Sequence, residues 1–179
     1  MGCDKALIEF RGQPLLRHAI SLAAAATGDV RIVGDPIKYG NFGLVTPDVY
    51  PGHGPLGGIH SALVSSKTDL NLILATDLPF LDPGFLRHLI TLSQATNALV
   101  TTPKLGHYFE PLCAIYRRKF ADIAEAALSN GKNKIDALFA PASTRAVSEE
   151  EIVAAGFSTR MFRNLNTPDD LAQAVNELA

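Results

Sequence analysis

The stretch Leu70-Asn71-Leu72-Ile73-Leu74-Ala75-Thr76-Asp77-Leu78-Pro79 decides the class of this chain. Residues 70–75 form a nearly unbroken apolar run of strand length, the pattern of a strand covered on both faces, and the run stops at an acid followed by a proline. Longer stretches with helical periodicity flank it on both sides. Leu56, Ile59, Ala62 and Leu63 precede it, and Phe85, Leu86, Leu89 and Ile90 follow Pro83. A buried strand between two helices is the unit of an α/β fold with a largely parallel sheet.

Working outward, the alternation continues. Pro14 opens a helix through Leu15, Leu16, Ala19, Ile20, Leu22 and Ala23, with Gly28 as its stop, and strands are expected at 30–33 and from Leu44 to about Asp48. Further strands are expected at 98–101, 109–116 and 162–165. Helices are expected at 120–128 and 135–140, and Thr167-Pro168-Asp169-Asp170 has the cap, proline and early acids of a last helix start.

The 179 residues, 47% hydrophobic and 19% charged, suit one domain spanning residues 1–179. A chain of that length buries about 70% of its unfolded surface without disulfides or structural metal. Sixteen Lys and Arg against eighteen Asp and Glu argue against a nucleic-acid partner. No apolar run approaches the roughly 20 residues that span a bilayer, so no membrane partner is expected and the cytoplasm is the default location. The sequence has no H-E-x-x-H, C-x-x-C or G-x-S-x-G, which leaves zinc hydrolysis and a serine nucleophile without support.

In open α/β sheets, ligands bind outside the carboxyl ends of the strands. Asp48, Asp77, Asn164 and Asn166 fall at such ends. Asp77 is the candidate metal ligand, because Mg²⁺ is commonly held by one or two carboxylates together with substrate phosphates; an Asx turn or a cap for the next helix is the plain alternative. Residues 51–58 hold four glycines and two prolines just before a helix, which suits close approach of backbone to an anion, although neither G-x-x-x-x-G-K-[ST] nor G-x-G-x-x-G is matched. Lys5, after Asp4, can pair with a phosphate as a point charge. Glu110-Pro111 can place a carboxylate near the site or serve only as a turn. His18, His60 and His88 fall in helices, whereas His53 and His107 fall in loops.

Taken together, Met1-Gly2-Cys3-Asp4-Lys5-Ala6-Leu7, Gly12-Gln13-Pro14-Leu15-Leu16, Gly54-Pro55-Leu56-Gly57-Gly58, residues 75–81, Glu110-Pro111-Leu112 and residues 164–171 resemble, in order and spacing, the molybdenum cofactor guanylyltransferase family. The resemblance implies a Rossmann-like α/β domain of the nucleotide-diphospho-sugar transferase type, with a mostly parallel sheet and helices on both faces. It implies transfer of GMP from Mg-GTP to molybdopterin-bound molybdenum cofactor with release of pyrophosphate. Lys5 would contact the phosphates, Asp48 and Gly54 would help hold the nucleotide, Asp77 would bind Mg²⁺, and Asn166 would lie near the metal. Molybdoenzyme maturation proteins are the implied protein partners.

Two departures from the family pattern shape the expectations. Family chains begin upstream, with a strand and a Leu-Ala-Gly-Gly loop that leads into the Met-Gly found here at the start. The expectation is therefore a truncated chain with impaired catalysis and a slot beside buried strands, whose unpaired backbone groups cost about 1–3 kcal/mol each where dry. Gly34-Asp35-Pro36 stands where the guanylyl branch often has an Asn-containing turn, which keeps a cytidylyltransferase or a sugar-phosphate nucleotidyltransferase as alternatives. The alternative from another class is a non-catalytic binding protein on the same scaffold.

Overall fold

The computed structural model describes residues 4–165. Asp4 caps a 3₁₀ turn, Lys5–Leu7, by accepting from the Ala6 N–H at 3.1 Å. A hairpin follows, β1 (Glu9–Phe10) with β2 (Gln13–Pro14), through Arg11 and Gly12 at φ 51° and 74°. Positive φ at both central residues gives the turn the twist that closes a two-residue hairpin, and glycine bears it without a Cβ clash. Helix α1 (Leu15–Ala26) then buries Leu15, Leu16 and Ala19.

Strand β3 (Ile32–Val33) leads through a short helix α2 (Pro36–Tyr39), capped by Asp35, to β4 (Val45–Thr46), which pairs parallel with β3. Helix α3 (Gly54–Ser65) carries the chain into β5 (Leu70–Leu74), and α4 (Pro83–Gln94), capped by Asp82, carries it into β6 (Val100–Leu105). Asp82, not Asp77, therefore does the capping at the start of α4. Then come β7 (Tyr108–Phe109), β8 (Cys113–Arg117), α5 (Phe120–Ser129), β9 (Thr144–Ser148) and α6 (Glu149–Ala154).

The larger sheet is mixed. Its order is β5-β8-β6-β7, with β9 pairing parallel to β6 and β8 antiparallel to both β5 and β6. Alternation along β8 sends Ala114 and Tyr116 into a core with Leu56, Ile59 and Leu63 of α3 and Phe120, Ala124 and Leu128 of α5. Cys113 and Ile115 point the other way, toward Phe85, Leu86 and Leu89 of α4 and Ile152 of α6. Helices thus cover both faces, as the α/β reading requires. Among the described residues, no helix is long and apolar enough to cross a membrane.

Four expected elements differ. The strand expected at 109–116 is two, because the turn at Glu110-Pro111 interrupts it. In place of the helix at 135–140 there is one 3₁₀ turn, Asp136–Leu138, before Pro141. In place of the strand at 162–165, a 3₁₀ turn, Thr159–Phe162, capped by Ser158, is followed by extended chain whose Leu165 N–H donates to the Asp77 carbonyl at 3.0 Å. Finally, β5 is only half-buried along its whole length. One of its edges borders a cavity of about 700 Å³, which separates it from β3 and is walled by residues of both strands, of α1 and of α3.

Candidate active site

The cavity brings distant parts of the sequence together. Lys5, Thr46 at the end of β4, Pro55 and Gly58 of α3, and Asp77 just past β5 all line it. Asp77 is half-buried, and among the described residues no hydrogen bond or ion pair holds its carboxylate. Its charge is felt nearby, however. Burial raises the pKa of Glu110 above the usual carboxylate value, and the charges of Asp77 and Asp136 raise it further. Glu110 thus lies within electrostatic reach of Asp77. The Asp77 carboxylate offers a hard oxygen that suits a cation, although no group of three or more metal-ligating side chains exists among the described residues.

Lys5 is exposed, and the turn that carries it is anchored from the side. Asp4 accepts from the Tyr39 hydroxyl at 2.5 Å and pairs with the Lys38 ammonium at 2.5 Å, both on α2. Burial pushes the Asp4 pKa up, but the bonds from Lys38, Tyr39 and the Ala6 N–H outweigh it and hold the carboxyl below its usual value. Nothing in the sequence pattern marks this anchor, since only the fold brings Tyr39 to a residue 35 positions away.

Asp48 serves first to shape the glycine-rich loop. Its Oδ1 accepts from the Tyr50 N–H at 3.0 Å and from the buried Ser61 hydroxyl at 2.8 Å. Ser61 in turn accepts from the Val49 N–H, also at 2.8 Å. The loop therefore rests on α3. A Cβ at Gly57 would meet the Tyr50 carbonyl oxygen at 2.8 Å, so the close approach of loop and helix requires glycine there. Gly54, at φ +65°, is the first residue of α3, and an added Cβ would find open space; its glycine answers to backbone conformation. His53 stands before it, bonded to Asn133 at 3.1 Å.

Asp77, Lys5 and the α3 end of the glycine-rich loop are thus brought together, while Asp48 lies behind that loop. Asn164 is exposed beside Leu165, whose backbone bond ties it to Asp77, and Asn166 lies outside the described residues.

Known proteins resemble this chain along most of its length. Residues 1–146 match the model of the MobA-like NTP transferase domain. A probable molybdenum cofactor guanylyltransferase of Clostridium perfringens is 31% identical over 97% of this chain and 88% of its own length. The molybdenum cofactor guanylyltransferase of Vibrio campbellii is 31% identical over 96% of this chain and 86% of its own. The crystal structure of molybdopterin-guanine dinucleotide biosynthesis protein A from Archaeoglobus fulgidus superposes with a TM-score of 0.85 at 26% identity, covering 99% of this chain and 91% of that one. With an α/β fold in which Lys5 of the first turn and Asp77 just past β5 line one cavity, and with these likenesses along nearly its whole length, the chain belongs to the MobA-like NTP transferase domain family.

Proposed function

We propose that this chain is a molybdenum cofactor guanylyltransferase, which transfers GMP from Mg-GTP to the phosphate of molybdopterin and releases pyrophosphate, with residues 1–179 acting as one catalytic domain. The observation that carries the reading is that Lys5, Asp77 and the first turn of α3 line one cavity. An oxygen of the acceptor phosphate attacks the α-phosphorus of GTP. The bond from that phosphorus to the bridging oxygen breaks, and pyrophosphate leaves with the electron pair. Such transfers demand positioning and neutralisation of charge more than covalent help from the protein.

Lys5 lies against the phosphates and offsets their charge. Asp48 holds the loop through Tyr50 and Ser61, so that the first turn of α3 from Gly54 faces the nucleotide with its amide groups. The residues fit Mg²⁺: Asp77, lining the cavity, would supply a hard carboxylate oxygen, and phosphate oxygens and Asn166 would complete the set. When bound, Mg²⁺ supplies further neutralisation of the triphosphate. The reading carries with it a cytoplasmic setting and transfer of the product to molybdoenzyme maturation proteins.

The test is pyrophosphate release from Mg-GTP in the presence of molybdopterin, with Mg-CTP as control. Turnover with GTP, lost in Asp77→Ala with the circular-dichroism spectrum unchanged, supports the reading. Turnover unchanged by Asp77→Ala removes Asp77 from the reaction, and CTP preference replaces guanylyl with cytidylyl transfer.

A further inference from the structure

We propose that Glu110 reads the acceptor: its carboxylate takes the N–H groups on the amino-pyrimidinone edge of the pterin. The inference rests on the transferase reading above, because the acceptor's approach follows from the geometry of that reaction. The strand register places the residue. β5 and β8 are antiparallel with Leu74 opposite Cys113, so the chain that enters β8 lies beside the chain that leaves β5. The bond from the Ala75 N–H to the Leu112 carbonyl, 2.8 Å, extends that contact one residue further. Glu110 is thereby set at the same end of the sheet as Asp77, whose charge it feels.

The two edges of β5 divide the site. Lys5, Thr46 and the first turn of α3 line the cavity on the β3 side, whereas Glu110 stands on the β8 side. In phosphoryl-type transfer the attacking and leaving oxygens lie roughly in line, on opposite sides of the phosphorus. With the triphosphate at Lys5, the acceptor comes in from over β8. Its phosphate is already largely ionised at neutral pH and needs no general base. What an ionised carboxylate offers there is acceptance alone, through two oxygens. The 2-amino group and the neighbouring ring N–H of a pterin are two adjacent donors, which one carboxylate meets side by side.

The turn holds that carboxylate in place. The fully buried Thr102 hydroxyl donates to the Glu110 carbonyl at 3.1 Å, and the fully buried Tyr116 hydroxyl donates to the Pro111 carbonyl at 2.8 Å. The Glu110 N–H donates to the Pro103 carbonyl at 2.9 Å, and the Glu110 carbonyl also accepts from the Cys113 N–H at 3.0 Å. Burial, then the charges of Asp77 and Asp136, opposes ionisation of the side chain so fixed. An acid anchored where ionisation is opposed marks a binding residue rather than a solvated turn, and donors from a ligand offset the opposition.

Guanine carries the same amino-pyrimidinone edge, so the test separates the two substrates. Molybdopterin and, separately, Mg-GTP are titrated into the 179-residue chain and into Glu110→Gln and Glu110→Ala, with folding checked by circular dichroism. Both variants should bind molybdopterin at least about tenfold more weakly, with affinity for Mg-GTP kept within about twofold. Pterin should displace molybdopterin from the parent better than lumazine, which has an oxo group in place of the 2-amine, and that preference should vanish in Glu110→Gln. Pyrophosphate release by the parent is measured apart, so that failure of the transferase reading is seen separately from failure at Glu110. Four results overturn the proposal: molybdopterin does not bind the parent; both folded variants bind it like the parent; the loss falls on Mg-GTP, which makes guanine the edge that is read; or the Mg²⁺ requirement shifts instead, which makes Glu110 a metal ligand.

Discussion

Replacing Asp4 by Ala should weaken nucleotide binding without unfolding the protein, and the size of the effect follows from the bonds that its carboxylate makes. The carboxylate caps the Lys5–Leu7 turn through the Ala6 N–H and accepts from the Tyr39 hydroxyl at 2.5 Å. Removing such a cap costs about 1 kcal/mol, and removing a bond from a neutral donor to a charged acceptor about 1.5 kcal/mol. Lys38 adds little, because its ammonium is exposed and screened. The turn buries no residue. Its release therefore stays local, and Tm should fall by less than about 3 °C. Binding must then restore the turn before Lys5 can meet a phosphate. With about 2 kcal/mol of order to recover, the affinity for Mg-GTP should drop about thirtyfold in isothermal titration. Tyr39→Phe, which removes one bond and keeps the cap, should cost about tenfold. A folded Asp4→Ala chain that binds Mg-GTP like the parent would refute the idea that this anchor positions Lys5.

Three further outcomes concern the framework. Ser61→Ala should lower stability by about 1–3 kcal/mol in urea melts, because the Val49 N–H loses its acceptor and Asp48 a donor at a fully buried position. Glu151→Ala should cost about 1 kcal/mol at neutral pH through loss of the capping box with Ser148. Arg145, then the Ser148 N–H, hold Glu151 down to about 2 from the ordinary 4.5. Its contribution is therefore full above about 4.5 and lost as pH falls through about 2, and thermal melts of parent and variant should converge over that window. In a Cys3→Ser background, Cys113 should not react with a disulfide reagent until the chain unfolds. It is buried, and burial followed by the Glu110 charge pushes its thiol pKa far above the usual range.

Much of the architecture is legible because the chain punctuates itself. Pro83 sits inside the start of α4, Gly131 follows the end of α5, and the apolar run at β5 has strand length. The elements that escape the sequence lack such marks or are decided at a distance. The five residues of β9 carry too little apolar alternation to stand out, although the Ser148-x-x-Glu151 capping pattern could have found α6. The positive-φ pair Arg11-Gly12 marks a hairpin where the sequence pattern shows only the approach to a helix. At the site, strand-end position alone brings out Asp77, and the family likeness brings out its link to Lys5. The sequence does not show that Asp48 turns inward to Ser61 or that Tyr39 anchors Asp4, since both depend on tertiary placement.

The separation of the β3–β4 pair from the larger sheet has a mechanical consequence. Asp48 follows one sheet and Asp77 the other, and across the cavity the two are connected through helices and loops, with no ladder between them among the described residues. A ligand that touched the loop in front of Asp48 and the carboxylate of Asp77 together would bridge the two sheets across the cavity and stiffen that connection. The slower amide exchange of Ile32 and Val45 in the bound state would measure the stiffening directly.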